Sequence, residues 1–186
     1  RLPWKPPGVS SAGTISLPKG KNEIDYPLTA NGGAAEGTWH LAVLGEAGTK
    51  TGQVIVSSAL TELRVEKPYV NIKIEMAAIE RGQTGDLLCK VEQLRPFDGE
   101  AEVRLSGLPA HTSTKPRRIT KEMNELIFPI ASPKDARART SKTLFTAIHI
   151  PWNGHLLPQT AGRGGQLRID NPPKPRKNAP LKPEAK

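Results

Sequence analysis

Apolar residues at every second position are the feature that most restricts this chain. Val70, Ile72 and Ile74 alternate with Asn71, Lys73 and Glu75, while Ala101, Val103 and Leu105 alternate with Glu102, Arg104 and Ser106. Leu87, Cys89 and Val91 follow the same rule, as do Trp39, Leu41 and Val43, and Leu126, Phe128 and Ile130. Successive side chains of a strand point to opposite faces, so this period describes strands buried on one side. Turn-forming runs separate them: Lys19-Gly20, Asn31-Gly32-Gly33, Glu80-Arg81-Gly82, Phe97-Asp98-Gly99, Asn153-Gly154 and Gly162-Arg163-Gly164-Gly165. Asn153-Gly154 suits a primed hairpin turn, because both residues tolerate positive φ. No amphipathic helix stands out: Ala136 to Lys142 lacks an apolar face, and proline interrupts most longer stretches. The expected class is all-β, an antiparallel sandwich.

An internal repeat sharpens that expectation. Lys19 to Leu28 lines up with Lys121 to Ile130, 102 positions later; Lys, Asn, Glu and Pro are identical and the apolar positions keep their class. Thr38 to Val43 matches Thr143 to Ile148 at 105, and Leu63 to Pro68 matches Leu167 to Pro172 at 104. A repeat of about 100 residues has the length of one immunoglobulin-like (Ig-like) sandwich. The expected layout is two tandem Ig-like antiparallel β-sandwiches: the C-terminal part of a first over residues 1–67, and a complete second over 68–171. A Pro/Lys-rich linker or tail follows over 172–186. Only Arg1 to Ser16 precede Leu17, whereas a far longer stretch precedes its counterpart Ile119. The first sandwich is therefore expected to be truncated at its N-terminus, lacking about three opening strands of a seven-strand fold. Uncovered strand edges and apolar faces are the expected consequence. The tail holds five prolines and little to bury, so it reads as a solvated, partly extended spacer to a further domain. A polyproline ligand is its other reading.

The net charge of +9 is concentrated. Ala110 to Lys142 carries +5 and Pro172 to Lys186 carries +4, leaving the remainder neutral. Lys115, Arg117, Arg118, Lys121, Arg137, Arg139 and Lys142 are accordingly the candidate residues for a polyanion, such as an anionic glycan or cell-wall polymer. A solvated basic face is the competing account. Stacking platforms of aromatic residues set among the basic ones are missing, so no specific nucleic acid is expected. No apolar run approaches the roughly 18 residues of a membrane-spanning helix, so no transmembrane segment is expected. A single cysteine excludes an internal disulfide framework.

Chemical constellations are weak. His149 and His155 bracket the Asn153-Gly154 turn and would offer a metal two ligands without a third. His40 and His111 are isolated. Asp98, Glu100 and Glu102 stand at alternate positions leading into a strand, a calcium or acid–base arrangement if they are not simply a polar strand face, but no calcium-loop pattern accompanies them. Cys89 lies in an apolar alternation and reads as a buried small hydrophobe rather than an activated thiolate. Gly162-Arg163-Gly164-Gly165 lacks the following helix that a phosphate loop needs, and reads as a loop before the last strand. No Gly-x-Ser-x-Gly elbow occurs. No catalytic residue, metal site or cofactor is expected.

Ile15-Ser16-Leu17-Pro18-Lys19-Gly20-Lys21-Asn22-Glu23, followed by Glu36-Gly37-Thr38-Trp39-His40-Leu41-Ala42-Val43, resembles tandem Ig-like modules of large exported bacterial proteins. These are the modules that accompany pre-peptidase C-terminal domains. Gly107-Leu108-Pro109-Ala110 resembles the family's Gly-Leu-Pro turn, with His111 where glycine is usual. The resemblance implies an extracytoplasmic location (periplasm, cell surface or medium) and a structural, spacer or interaction role beside neighbouring domains of the same polypeptide. It implies no catalytic or binding residue. The remaining alternatives are a polyanion- or glycan-binding module, and the accessory C-terminal region of a secreted hydrolase.

Overall fold

A computed structural model describes residues 1–173. These residues form strands and no helix, and the chain divides into two compact units, one ending at Lys67 and the other beginning at Pro68. Residues 174–186, most of the expected tail, lie outside the described residues.

The first unit holds β1 (Val9–Ser11), β2 (Leu28–Ala30), β3 (Gly37–Leu41), β4 (Leu44–Thr49), β5 (Gly52–Ser57) and β6 (Thr61–Val65). They pair as three separate two-stranded antiparallel ribbons, β1 with β2, β3 with β6 and β4 with β5. The second unit holds β7 (Val70–Ile74), β8 (Ala77–Glu80), β9 (Thr84–Gln93), β10 (Ala101–Ser106), β11 (Arg117–Ile119), β12 (Glu125–Ala131), β13 (Arg139–Trp152) and β14 (His155–Asp170). Its strands form a three-stranded sheet, β12-β9-β7, and a five-stranded sheet, β11-β10-β13-β14-β8.

The second unit follows from its alternation. Val70 and Ile72 of β7, Leu87 and Cys89 of β9, and Phe128 and Ile130 of β12 turn one face inward. Val103 of β10, Ile119 of β11, Ile148 and Ile150 of β13 and Leu167 of β14 meet them from the other sheet in one core. Leu87, Cys89, Val91, Val103, Leu105, Leu126, Phe128, Leu167 and Ile169 are all buried, as their alternation implies. Fully burying side chains of this size is worth about 1.5–3 kcal/mol each, the dominant favourable contribution in a chain with few aromatics. Gln159 of β14 fastens the start of β7 across the gap between the sheets. Its Oε1 accepts from the Tyr69 N–H at 2.8 Å, and its Nε2 donates to the Val70 carbonyl. Asn153 and Gly154, at φ 47° and 78°, make the tight turn joining β13 and β14.

Four expectations change. The chain is all-β, but β8 runs parallel to β14, so the second unit is not purely antiparallel. The segment Val70–Glu80 changes sheets after Ile74, a long-range pairing that local alternation does not encode. Gly162 to Gly165 lie inside β14 rather than in a loop before it. The alternation of Trp39, Leu41 and Val43 implies one buried face, yet only Leu41 is buried; Trp39, Val43 and Tyr26, the other residue expected in a first core, are half-buried, and the strands of this unit pair only two by two. Two closed sandwiches in tandem are therefore not what the described residues form. The fourth change concerns register. Thr38 pairs with Arg64 as Thr140 pairs with Arg168, a displacement of 102 on the first strand, not 105. The register of β13 on β14 shifts around Leu144. A bulge changes which residues face inward, so apolar likeness and backbone position part company there.

Backbone hydrogen bonds reveal how closely the units correspond. The Val9 N–H donates to the Pro6 carbonyl at 3.1 Å, as Thr112 does to Pro109 at 3.2 Å. Lys21 donates to Pro18 at 3.1 Å and Met123 to Thr120 at 3.3 Å; Ala34 donates to Asn31 at 3.0 Å and Ala136 to Pro133 at 3.1 Å. Pairings recur too. Ser10 opposite Thr29 matches Ser113 opposite Ala131, and Leu44 opposite Ser57 matches Ala147 opposite Thr160. Thr49 opposite Gly52 matches Trp152 opposite His155 at the hairpin tips. Arg1 exchanges both backbone hydrogen bonds with Leu44, each 2.8 Å, where Arg104 pairs with Ala147.

Candidate interaction surface

The basic residues do not converge on one place. Arg117 and Arg118 sit on β11, the edge of the five-stranded sheet, with Lys115 just before it and Lys121 in the turn after it. Arg139 and Lys142 begin β13, and Arg137 precedes them. Arg117 is level with Val103 and, across β10, with Ile148 of β13. Nine residues of strand separate Ile148 from Arg139, roughly 30 Å at the usual rise. The two basic groups thus occupy different parts of the sheet.

Arg117 and Arg118 also have partners. Successive strand residues face opposite ways, so Arg117 turns toward the gap between the sheets, where its Nε donates to the Ile127 carbonyl of β12 at 3.1 Å. Arg118 turns outward, and its Nη1 holds Glu100 at 2.9 Å. Arg118, Glu102 and His149 lie side by side across β11, β10 and β13. Together with Glu100, Arg104 and Leu156 they line a shallow cleft of about 510 Å³. Glu102 pairs with Arg104, and that hydrogen bond, then the nearby guanidinium and imidazole charges, hold its carboxyl below the usual range. Two carboxylates face two guanidinium groups here, so the cleft is zwitterionic and presents no strong field of one sign. A second cleft of about 360 Å³ lies between Tyr69, Phe97, Pro151 and Trp152, with the Arg95 guanidinium 4.4 Å above the Tyr69 ring.

The remaining candidates resolve on geometry. His149 lies opposite Pro158, and His155 is three residues from Pro158 on β14, so the two imidazoles face opposite sides of the hairpin. Glu100 and Glu102 each hold a guanidinium, and no cluster of metal-ligating side chains occurs among the described residues. His111 Nδ1 is 3.5 Å from Asp135 on the surface. Cys89 is fully buried, and burial pushes its thiol up to about 12, the opposite of an activated nucleophile. The amides of Gly162 to Gly165 run along β14, and Arg163 lies 5.8 Å from the Phe145 ring centre, so no phosphate cradle forms. No helix among the described residues is long and apolar enough to cross a membrane. The features that sequence reasoning passed over are the cross-sheet row Arg118–Glu102–His149 and the Tyr69–Trp152 cleft. Neither is carried by a local motif; each appears only once register is known.

No family model matches the chain, and no curated protein matches it.

Proposed function

We propose that the chain is a non-catalytic structural module of two consecutive Ig-like units. On this reading it serves as a spacer or interaction unit beside neighbouring domains of a large exported bacterial protein. The observation that carries the fold reading is the strand order of the second unit. Three strands in the order β7-β9-β12 face five in the order β11-β10-β13-β14-β8. On this reading β7, β9 and β12 take the places of the Ig strands A, B and E, and β11, β10, β13 and β14 those of C′, C, F and G, with the first strand divided between the sheets. The three recurrent turns and the matched hairpin tips support assigning the first unit to the same fold. The extracytoplasmic setting rests on the resemblance of Ile15–Glu23 and Glu36–Val43 to exported modules. A non-catalytic role is supported by the buried thiol and by carboxylates neutralised in ion pairs.

Polyanion binding is the reading to test against it, through the position dependence of charge. Arg117→Glu with Arg118→Glu and Arg137→Glu with Arg139→Glu change the net charge equally. If the basic residues are a solvated face, both variants leave a heparin column at the same reduced salt concentration, since non-specific retention follows total charge. A much larger loss for the Arg117/Arg118 pair would establish a localised polyanion site and displace the spacer reading.

A further inference from the structure

We propose that the second unit bears tension: a pull between Pro68 and Pro172 is carried in shear by Tyr69–Arg81 lying alongside Gln159–Asn171. The inference rests on the spacer reading and names the work that such a spacer does. Its observation is a displacement of 90 that holds from one end of the two segments to the other. At the start, the Gln159 side chain accepts from the Tyr69 N–H at 2.8 Å and from the Val70 N–H at 3.4 Å. Ala77, Ala78, Ile79 and Glu80 then pair in parallel with Leu167, Arg168, Ile169 and Asp170. Arg81 closes the run: its N–H donates to the Asp170 carbonyl at 3.0 Å, and its guanidinium donates to the Asn171 side chain. The opening segment of the unit and its last strand thus travel side by side in one direction. Gln159 to Asp170 is roughly 36 Å of strand at the usual rise.

The glycine run of β14 permits this course. After Ile74 the segment leaves β9 for β14, and Ile74 passes over the glycines as it crosses. A Cβ on Gly162 would stand 3.0 Å from Ile74 Cγ1, and one on Gly165 only 2.7 Å from Ile74 Cβ. Parallel alignment then decides how force acts. Tension draws Tyr69 back toward the entry and Asp170 on toward the exit, so the segments slide along their common axis and the hydrogen bonds between them are loaded together. β7 is loaded along its length against β9 in the same way. An antiparallel pairing of the same two segments would bring the entry and the exit to one end, where tension opens one hydrogen bond after another.

Single-molecule pulling on the 186-residue chain tests this in two directions, through thiol handles at Pro68→Cys with Pro172→Cys, or at Pro68→Cys with Asp98→Cys. Cys89 is fully buried and takes no handle in the folded chain. Asp98 lines the same cleft as Tyr69, so the second pair pulls from one end of the unit and peels β7 away from Val70 onward. Urea midpoints confirm that both pairs leave the fold intact. At one loading rate, the rupture force between Pro68 and Pro172 should be severalfold higher, because forced unfolding follows the barrier along the direction pulled and not equilibrium stability. Gln159→Ala should lower that force. Equal forces in the two directions, a higher force between Pro68 and Asp98, or no change in Gln159→Ala would each overturn the load-bearing role and leave the spacer reading standing. A localised polyanion site on the heparin column would defeat the spacer reading itself, whatever the forces.

Discussion

His111 holds φ at 67°, in the turn where its first-unit counterpart is Gly8 at φ 77°. A left-handed backbone costs a residue with a Cβ roughly 1–2 kcal/mol, whereas glycine adopts it freely. Glycine gives back about 0.5–1 kcal/mol through the entropy of the unfolded chain. His111→Gly should therefore stabilise the second unit by about 0.5–1 kcal/mol, read as a rise in urea midpoint; no gain would mean that the turn is wrongly described. The reverse exchange is not symmetrical. A Cβ on Gly8 would lie 2.4 Å from the Ala34 backbone, so Gly8→Ala strains the first unit through contact as well as conformation. The sequence marks this position by the unusual residue at 111, but the shared turn depends on a φ that no residue type specifies alone. Cys89 was readable from its apolar neighbours, since alternation and burial are one physical statement at that site.

Strands differ in legibility according to what decides them. β7, β9, β10 and β12 were visible because one face is buried and the other wet, which writes a period of two into the residues. β8 was hidden, because parallel pairing with β14 is settled by a partner far along the chain. The same distinction separates matched elements of the two units. Leu126 of β12 lies opposite Cys89 and is buried, whereas Ile24, its counterpart, is half exposed and lies in no strand. Leu126→Ala should cost about 2–5 kcal/mol, the usual loss for a leucine removed from a packed core. Ile24→Ala should stay within about 0.5 kcal/mol, as for a surface substitution. Denaturation followed through NMR signals of each unit measures both, and a comparable cost at Ile24 would mean that the first unit has a closed core.

At the scale of the whole molecule, cohesion is uneven. The second unit buries most of the apolar side chains, while Val9, Leu41 and Val65 are the principal apolar side chains buried in the first. A unit that hides so little cannot offset the entropy of ordering its chain by much. The duplication was legible from Lys19 onward, where identical residues recur, but the correspondence beginning at Arg1 is spread thinly over Arg, Leu, Pro and Ser. The candidate surface was legible only as composition: a list of basic residues does not disclose that strand register sets Arg117 and Arg139 far apart. The central claim is that one pattern of backbone pairing occurs twice. Cross-strand nuclear Overhauser contacts in the 186-residue chain test it directly, at Ser10 with Thr29 and Ser113 with Ala131, and at the hairpin ends Thr49 with Gly52 and Trp152 with His155. All four contacts are predicted. Finding the second-unit pair of each set while Ser10 and Thr49 contact other partners would contradict the claim.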